Sequence, residues 1–150
     1  MPAAKSAKLR IVKSLYLKAP PHHVWKFLTT APGLTKWFHD APGLTKWFHD
    51  APHDLEEGGE WRLDSNSLGR EGEKILWGRV IEMKLHEKLV HTFTNKMLNG
   101  AETTCTWALE PVENGTLLTL THDGFPDFAT AAQHDAGWDM HFGRLRIVVA

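Results

Sequence analysis

Histidine and tryptophan are the residues of this sequence that offer the most chemistry. The chain holds ten histidines and seven tryptophans but one tyrosine. His91, His122 and His141 fall within stretches rich in apolar or aromatic residues, where a neutral imidazole could act as a general acid or base. No carboxylate is fixed beside them by sequence, since Asp123 follows His122 directly and adjacent strand residues face opposite ways. These histidines are therefore weak catalytic candidates, and we expect structural or ligand-anchoring roles for them.

A metal site is not expected from the other histidines or from the cysteine. The dipeptide His-Asp occurs at 39–40, 49–50, 53–54 and 134–135, but a metal needs three or four converging ligands. His49 and His53 have helical spacing, yet Pro52 between them argues against a regular helix. Cys105 is the sole cysteine, so we expect a buried structural thiol and no intrachain disulfide. No phosphate loop, dinucleotide fingerprint or nucleophile elbow occurs, and no cofactor is expected.

The pattern of large side chains is compatible with a small apolar or aromatic ligand as partner. Alternation along the strands and helical spacing near the C-terminus point a common set of side chains inward. Trp37 or Trp47, one from each copy of a repeated segment, would cover this interior. Together the predicted ligand-binding residues are Trp37, Trp47, Trp61, Trp77, His91, Phe93, Trp107, Leu118, Leu120, Trp138, His141 and Phe142. They form either a filled core or a cavity that suits a flat aromatic molecule.

The first elements that must position these residues are a strand and a short helix. Residues 8–19 alternate between apolar and polar side chains, which predicts a half-buried strand. Lys13 is the exception, since it falls on the apolar face. Pro21 suits the first turn of a helix that runs to about Thr29.

The later elements predict an antiparallel sheet closed by a long helix. From Glu57 the apolar period becomes two, and strands are expected around Trp61–Asp64 and at Lys74–Met83, Leu89–Asn95, Glu102–Glu110 and Thr116–Asp123. Asn114-Gly115 tolerates positive φ and predicts a tight hairpin between the last two. From Asp127 to the end no proline interrupts a helical pattern. The fold class is therefore α+β, with about six strands, a long C-terminal helix and two or three short helices after strand 1.

A tandem duplication breaks the regular order of elements. Residues 31–40 and 41–50 are identical, whereas most architectures would have one slot for such a segment. Pro42 argues against one helix through both copies, so we expect two short helical turns joined by a kink. The surplus copy is predicted either to bulge as an extra helical turn or to reach a neighbouring molecule in a swapped homodimer. Otherwise the protein is expected to be a monomer.

Composition narrows the class of protein further. The length of 150 residues suits one domain, expected at 8–150 after a flexible tail at 1–7. The net charge is −1, so no global field favours nucleic acid or a membrane. No apolar run approaches a membrane span, and residues 1–10 lack the apolar core of a signal peptide. We therefore expect a cytoplasmic protein.

Four segments in this order resemble a known family. They are the start Ala19-Pro-Pro-His-His-Val-Trp-Lys-Phe-Leu-Thr, the segment Leu34-Thr-Lys-Trp-Phe, the strand Gly115-Thr-Leu-Leu-Thr-Leu-Thr-His-Asp-Gly-Phe, and Gly137-Trp138 followed by Phe142 and Leu145. The chain from about 9 to 149 is thus similar to the START/birch-pollen-allergen-like (SRPBCC) superfamily. Within it, the chain resembles the branch of the activator of the 90-kDa heat-shock protein ATPase. The second ten-residue copy departs from the family pattern.

The resemblance implies a helix-grip fold, in which a curved antiparallel sheet wraps around the long C-terminal helix. Such folds often leave a cavity for an apolar molecule between sheet and helix. Three functions are open: binding of a small apolar or aromatic molecule, an enzyme that uses the same cavity with histidine as general acid or base, and a partner-binding module acting on a chaperone ATPase. Fold alone does not decide among them.

Overall fold

The computed structural model describes residues 9–37, 49–65 and 74–150. They form seven strands and three α-helices. In chain order these are β1 (Leu9–Leu17), α1 (Pro21–Thr29), α2 (Ala31–Trp37), β2 (His49–Asp50), β3 (Glu60–Ser65), β4 (Lys74–Lys84), β5 (Lys88–Phe93), a 3₁₀ turn (Lys96–Leu98), β6 (Thr103–Val112), β7 (Gly115–Phe125) and α3 (Phe128–Val149). The architecture is α+β, as predicted.

The strands make one antiparallel sheet in the order β1-β7-β6-β5-β4-β3-β2. From β3 to β7 each strand pairs with the next in sequence, as short connections require. The β6–β7 hairpin turns at Asn114, whose φ is 62°, as the Asn-Gly pair predicts. Strand β1 closes the far edge by pairing with β7. Six of the strands are long, and this confirms the predicted meander.

Helix α3 lies across the sheet and provides the other half of the core. Asp127 caps it, since its side chain accepts a hydrogen bond of 2.8 Å from the Thr130 backbone N–H. The helix packs mainly against β1, β7, α1 and α2. Its buried residues are His134, Trp138, Phe142, Leu145 and Val149. This is the predicted helix-grip arrangement, and it places the aromatic side chains of the helix against those of the sheet.

The structure explains why Lys13 falls on the apolar face of β1. The side chain points inward, is 18% exposed, and forms ion pairs with Asp135 and with Asp139 of α3, the second at 2.7 Å. A charged residue on the apolar face of an edge strand is tolerated when it is paired, and it also discourages another strand from adding to that edge.

The first ten-residue copy fills a place between α1 and the core. Its helix, α2, approaches α1 so closely that a Cβ on Gly33 would lie 2.0 Å from the carbonyl oxygen of Lys26. Trp37 is fully buried, and its indole N–H donates to the Phe27 carbonyl at 2.8 Å. The last two residues of the second copy form β2. Residues 38–48 lie outside the described residues, and the extra helical turn and the swapped dimer both stay predictions.

The chain returns beside the start of α2 after the second copy. The Ala51 N–H donates to the Thr35 hydroxyl at 3.0 Å, and Asp54 accepts from the Ala31 N–H at 2.7 Å. These bonds fix the two ends of the duplicated region next to each other. A surplus segment between such fixed ends adds little loop-closure entropy.

Candidate functional site

Six buried aromatic rings form one continuous layer between the sheet and α3. Each is at most 6% exposed. Trp107 on β6 is central, with ring centroids 6.0 Å from Trp37 and 5.4 Å from Trp138, both edge-on. Such geometry is favourable for aromatic pairs. We call this set the aromatic layer, and its members are Trp37, Trp61, Phe93, Trp107, Trp138 and Phe142.

Two hydrogen bonds fix the orientation of His122 beside the aromatic layer. Its Nδ1 accepts from the indole N–H of Trp138 at 2.9 Å. The Thr103 hydroxyl donates to the Phe93 carbonyl at 2.7 Å, so it accepts from the Nε2–H of His122 at 2.7 Å. Burial, with smaller contributions from His134 and His91, lowers the pKa of His122 to about 2. This imidazole is therefore neutral, with a fixed tautomer and no free lone pair.

His91 is held in the same way on the neighbouring strand. Its Nδ1–H donates to the Thr92 carbonyl at 2.8 Å, and its Nε2 accepts from the indole N–H of Trp107 at 2.9 Å. The ring stacks on Trp61, with centroids 4.2 Å apart and planes 12° from parallel. Burial lowers the pKa of His91 to about 4, although the bond to Thr92 opposes that shift.

His134 completes this group from α3. Its Nδ1–H donates to the Thr130 carbonyl at 2.7 Å, and its Nε2 accepts from the Asn95 side-chain amide at 3.0 Å. Burial lowers the pKa of this histidine also. All three buried imidazoles therefore stay neutral near pH 7 and use both nitrogens internally. They support the aromatic layer and offer no free base for proton abstraction.

The side of α3 that faces α2 has a different character. Spacings of four, three and four residues place Gly137, His141, Arg144 and Val148 on one side of the helix, which we call the α2 flank. His141 contacts Trp37 and Trp138 edge-on, at centroid distances of 6.5 and 6.3 Å. A Cβ added at Gly137 would meet no atom of the described residues within 4 Å. The α2 flank therefore runs along the border of the aromatic layer, and the described residues leave open space beside Gly137.

Arg144 is the charged residue of the α2 flank. It is half-buried, and its Nε is shielded from solvent without a hydrogen-bond partner among the described residues. Throughout the described ranges, 9–37, 49–65 and 74–150, no acidic side chain pairs with it. By contrast Arg62 pairs with Asp64 at 2.6 Å. A shielded guanidinium donor without an acceptor is unusual, because each such group loses its bond to water.

The remaining predicted ligand-binding residues divide into three cases. Leu118 and Leu120 are fully buried on β7 and share a face with His122, as alternation predicts. Trp47 lies outside the described residues. The inward orientation predicted for Trp77 is wrong: it pairs with Arg62, whereas Leu63 pairs with Leu76 on the core face. Val80 is buried on that same face, so Trp77 lies on the other side of the sheet.

Several residues of the site did not stand out in the sequence. Thr103 and Asn95 are polar strand-end residues whose partners are 19 and 39 positions away. Arg144 reads as an ordinary helix position, and Gly137 stood out only as part of the Gly137-Trp138 pair that carries the family resemblance. Their spacing to His141 was the available signal, since residues three or four apart share a helix side.

Within the described part of the chain, no three histidine, cysteine or acidic residues converge as for a metal ion. Cys105 is fully buried, and burial raises the pKa of its thiol.

Solved structures of low sequence identity share this fold. A protein of Chromobacterium violaceum, CV1439, is 22% identical, with a TM-score of 0.75 over 93% of this chain and 96% of its own. The Aha1 dimer from Colwellia psychrerythraea gives a TM-score of 0.69 at 19% identity over 94% and 96%. CalU16 from Micromonospora echinospora gives 0.70 at 19% identity over 95% and 77%. At these identities the likeness shows the fold alone.

The sequence also matches one family along most of its length. Among curated proteins, no sequence matches this chain. None of the helices within the described ranges is long and apolar enough to cross a membrane. The family model for activator of Hsp90 ATPase homolog 1-like proteins matches residues 18–150, which confirms the predicted superfamily branch. This protein therefore belongs to the family of activator of Hsp90 ATPase homolog 1-like proteins.

Proposed function

We propose that this protein binds a small aromatic or apolar molecule between the sheet and α3, along the border formed by the α2 flank. The observation that carries the proposal is the aromatic layer, in which the indole N–H groups of Trp37, Trp107 and Trp138 donate to a backbone carbonyl or to buried histidines. Such a layer presents ring faces and edges without charge. Aromatic walls with few polar anchors are typical of sites for flat ligands.

The open space beside Gly137 supports placing the ligand at this border. Gly137 is half-buried within a helix whose neighbour Trp138 belongs to the aromatic layer. A glycine costs about 1 kcal/mol relative to alanine inside a helix. Since no atom of the described residues lies within 4 Å of the position that a Cβ would take, packing of those residues does not explain this glycine. A ligand that lies against the helix backbone there would explain it.

Occupancy of this space is testable with a neutral aromatic probe. We expect N-phenyl-1-naphthylamine to bind saturably, with one site per chain by fluorescence titration, and to raise the melting temperature. Gly137→Leu would fill the space and weaken probe binding at least about tenfold, while higher helix propensity keeps the fold stable. Gly143→Leu is the matched control: it also meets open space but lies on the exposed side of the same helix.

Two results would contradict the proposal. One is the absence of saturable binding to the unmodified chain. The other is equal affinity of the Gly137→Leu and Gly143→Leu variants, which would place the probe away from the α2 flank. Melting curves of both variants without probe separate loss of binding from loss of structure.

A second function is favoured by the family match over residues 18–150 and by the fold shared with an Aha1 dimer. In this alternative the chain contacts an Hsp90-type chaperone and stimulates its ATPase. Such contact would use a protein surface and would not need the space beside Gly137. Stimulation of chaperone ATPase that is equal for the unmodified chain and Gly137→Leu would favour this alternative, and no stimulation at all would exclude it.

A further inference from the structure

We infer that the ligand carries an oxyanion, a carboxylate or sulfonate on its aromatic frame, and that Arg144 binds it. This inference rests on the proposed function and adds the chemical class of the ligand. It starts from position: Arg144 is three residues from His141, and the His141 ring contacts both Trp37 and Trp138. A molecule that lies along the α2 flank would therefore meet an aromatic wall and a guanidinium together.

The state of the Arg144 side chain indicates the charge of its partner. Its Nε is shielded from solvent and makes no hydrogen bond within the part of the chain that the structure describes. Leaving a charged donor in that condition is more unfavourable than leaving a neutral one, because ionised groups lose more hydration. No carboxylate of the described residues forms an ion pair with it. An oxyanion bound at the outer nitrogens of the guanidinium would neutralise the charge, and a rotation of the half-buried side chain would let Nε donate to it as well.

The geometry of the guanidinium narrows the chemical class of the ligand further. Its donors form a planar fork that matches the paired oxygens of a carboxylate or a sulfonate. Gly137 lies two helical turns before Arg144 on the same flank, about 10 Å along the axis. A two-ring aromatic acid spans about that distance, so its rings would lie beside Gly137 and its oxyanion beside Arg144.

Two dyes that differ by one anionic group test the inference. 1-Anilinonaphthalene-8-sulfonate is N-phenyl-1-naphthylamine with a sulfonate added, and both can be titrated by fluorescence. We expect the unmodified chain to bind the sulfonate more tightly than the neutral dye. Arg144→Gln should weaken the sulfonate about 10- to 100-fold, since charge-assisted hydrogen bonds are strong, and leave the neutral dye within about twofold.

Two further variants complete the design. Arg146→Gln removes the same charge from an exposed position on the opposite side of α3 and should change neither affinity. Arg144→Lys should retain part of the preference for the sulfonate, because it keeps the charge without the planar fork.

Each outcome decides between the two proposals. Binding of the neutral dye without any preference for the sulfonate would overturn the role of Arg144 and leave the proposed function standing. An equal loss of both dyes in Arg144→Gln, or an equal loss of the sulfonate in Arg146→Gln, would also overturn it. If neither dye binds the unmodified chain, both proposals fail.

Discussion

The charged residues on the two sides of helix α3 differ in whether they form ion pairs. On the side that faces β1, Asp135 and Asp139 both pair with Lys13, which is 18% exposed. On the α2 flank, the shielded Nε of Arg144 has no acceptor in the described ranges. Buried charge is normally paired within the protein, and the β1 side follows that rule. The difference indicates that the β1 side pairs its charges within the protein, whereas on the α2 flank the proposed anionic ligand would supply the partner.

Removing Trp37 should produce the largest change, because that ring joins the α2 flank to the aromatic layer. We expect Trp37→Ala to lower the free energy of unfolding by about 3 to 5 kcal/mol, as for other large-to-small core substitutions. Urea denaturation would measure the loss. The control is Trp47→Ala, the same change in the second copy. Since the first copy fills the core position, a smaller loss is expected for Trp47→Ala, and equal losses would contradict this assignment.

Acid should lower the free energy of unfolding, because it protonates histidines that are buried between the sheet and α3. His91 has a pKa of about 4 in the fold and an ordinary value of 6.5 when unfolded, so the unfolded chain binds more protons between those values. Stability is therefore complete above pH 6.5 and falls as the pH is lowered, by about 3 kcal/mol at pH 4 from this histidine. Protonation of His122, whose pKa is about 2, adds to this loss of stability at lower pH.

Urea denaturation at a series of pH values would measure this dependence. The slope of stability against pH should decrease in His91→Gln, in which the amide oxygen keeps an acceptor near Trp107. The control is His53→Gln, the same change at a histidine that is 43% exposed. A flat profile between pH 6.5 and 4 for the unmodified chain would show that the buried histidines are protonated in the fold.

Local signals explain what could be predicted from the sequence. The Asn114 turn, the Asp127 cap and the strand alternation depend on neighbours within a few residues, and all are found in the structure. The side of the sheet on which Trp77 lies could not be predicted from such local signals. Two large apolar residues, Leu76 and Trp77, are adjacent, and only pairing with β3 shows which one faces the core.

The contrast between the two sides of α3 was also hidden in the sequence. Lys13 and Asp135 are far apart along the chain, so their pairing depends on the packing of β1 against the helix. Arg144 resembles any basic residue near a helix C-terminus, where such residues are favourable. Its missing acceptor becomes visible only when every neighbouring element is in place. The inward side chains of the aromatic layer could be predicted because they follow from periodicity. Its hydrogen bonds could not, because they join residues from different strands and helices.

The charge pairing on the β1 side should have a moderate effect when it is removed. Asp135→Asn together with Asp139→Asn would leave Lys13 half-buried without a counter-charge. Because both aspartates are more than half exposed, solvent screening limits the loss to about 1 to 2 kcal/mol. Chemical denaturation in low salt would measure it. Adding Lys13→Met to the double variant should recover most of the loss, and failure to recover it would show that Lys13 is stabilised in another way.

Removing the charge of the α2 flank should have the smallest effect on stability, and it should have the opposite sign. Arg144→Met replaces an unpaired donor with an apolar side chain of similar length. The shielded Nε no longer has to lose its water, so we expect the free energy of unfolding to stay unchanged or to rise by up to about 1 kcal/mol. The measurement is urea denaturation without any added dye. A loss of 2 kcal/mol or more would mean that Arg144 is already satisfied inside the protein, and the two sides of α3 would then be alike.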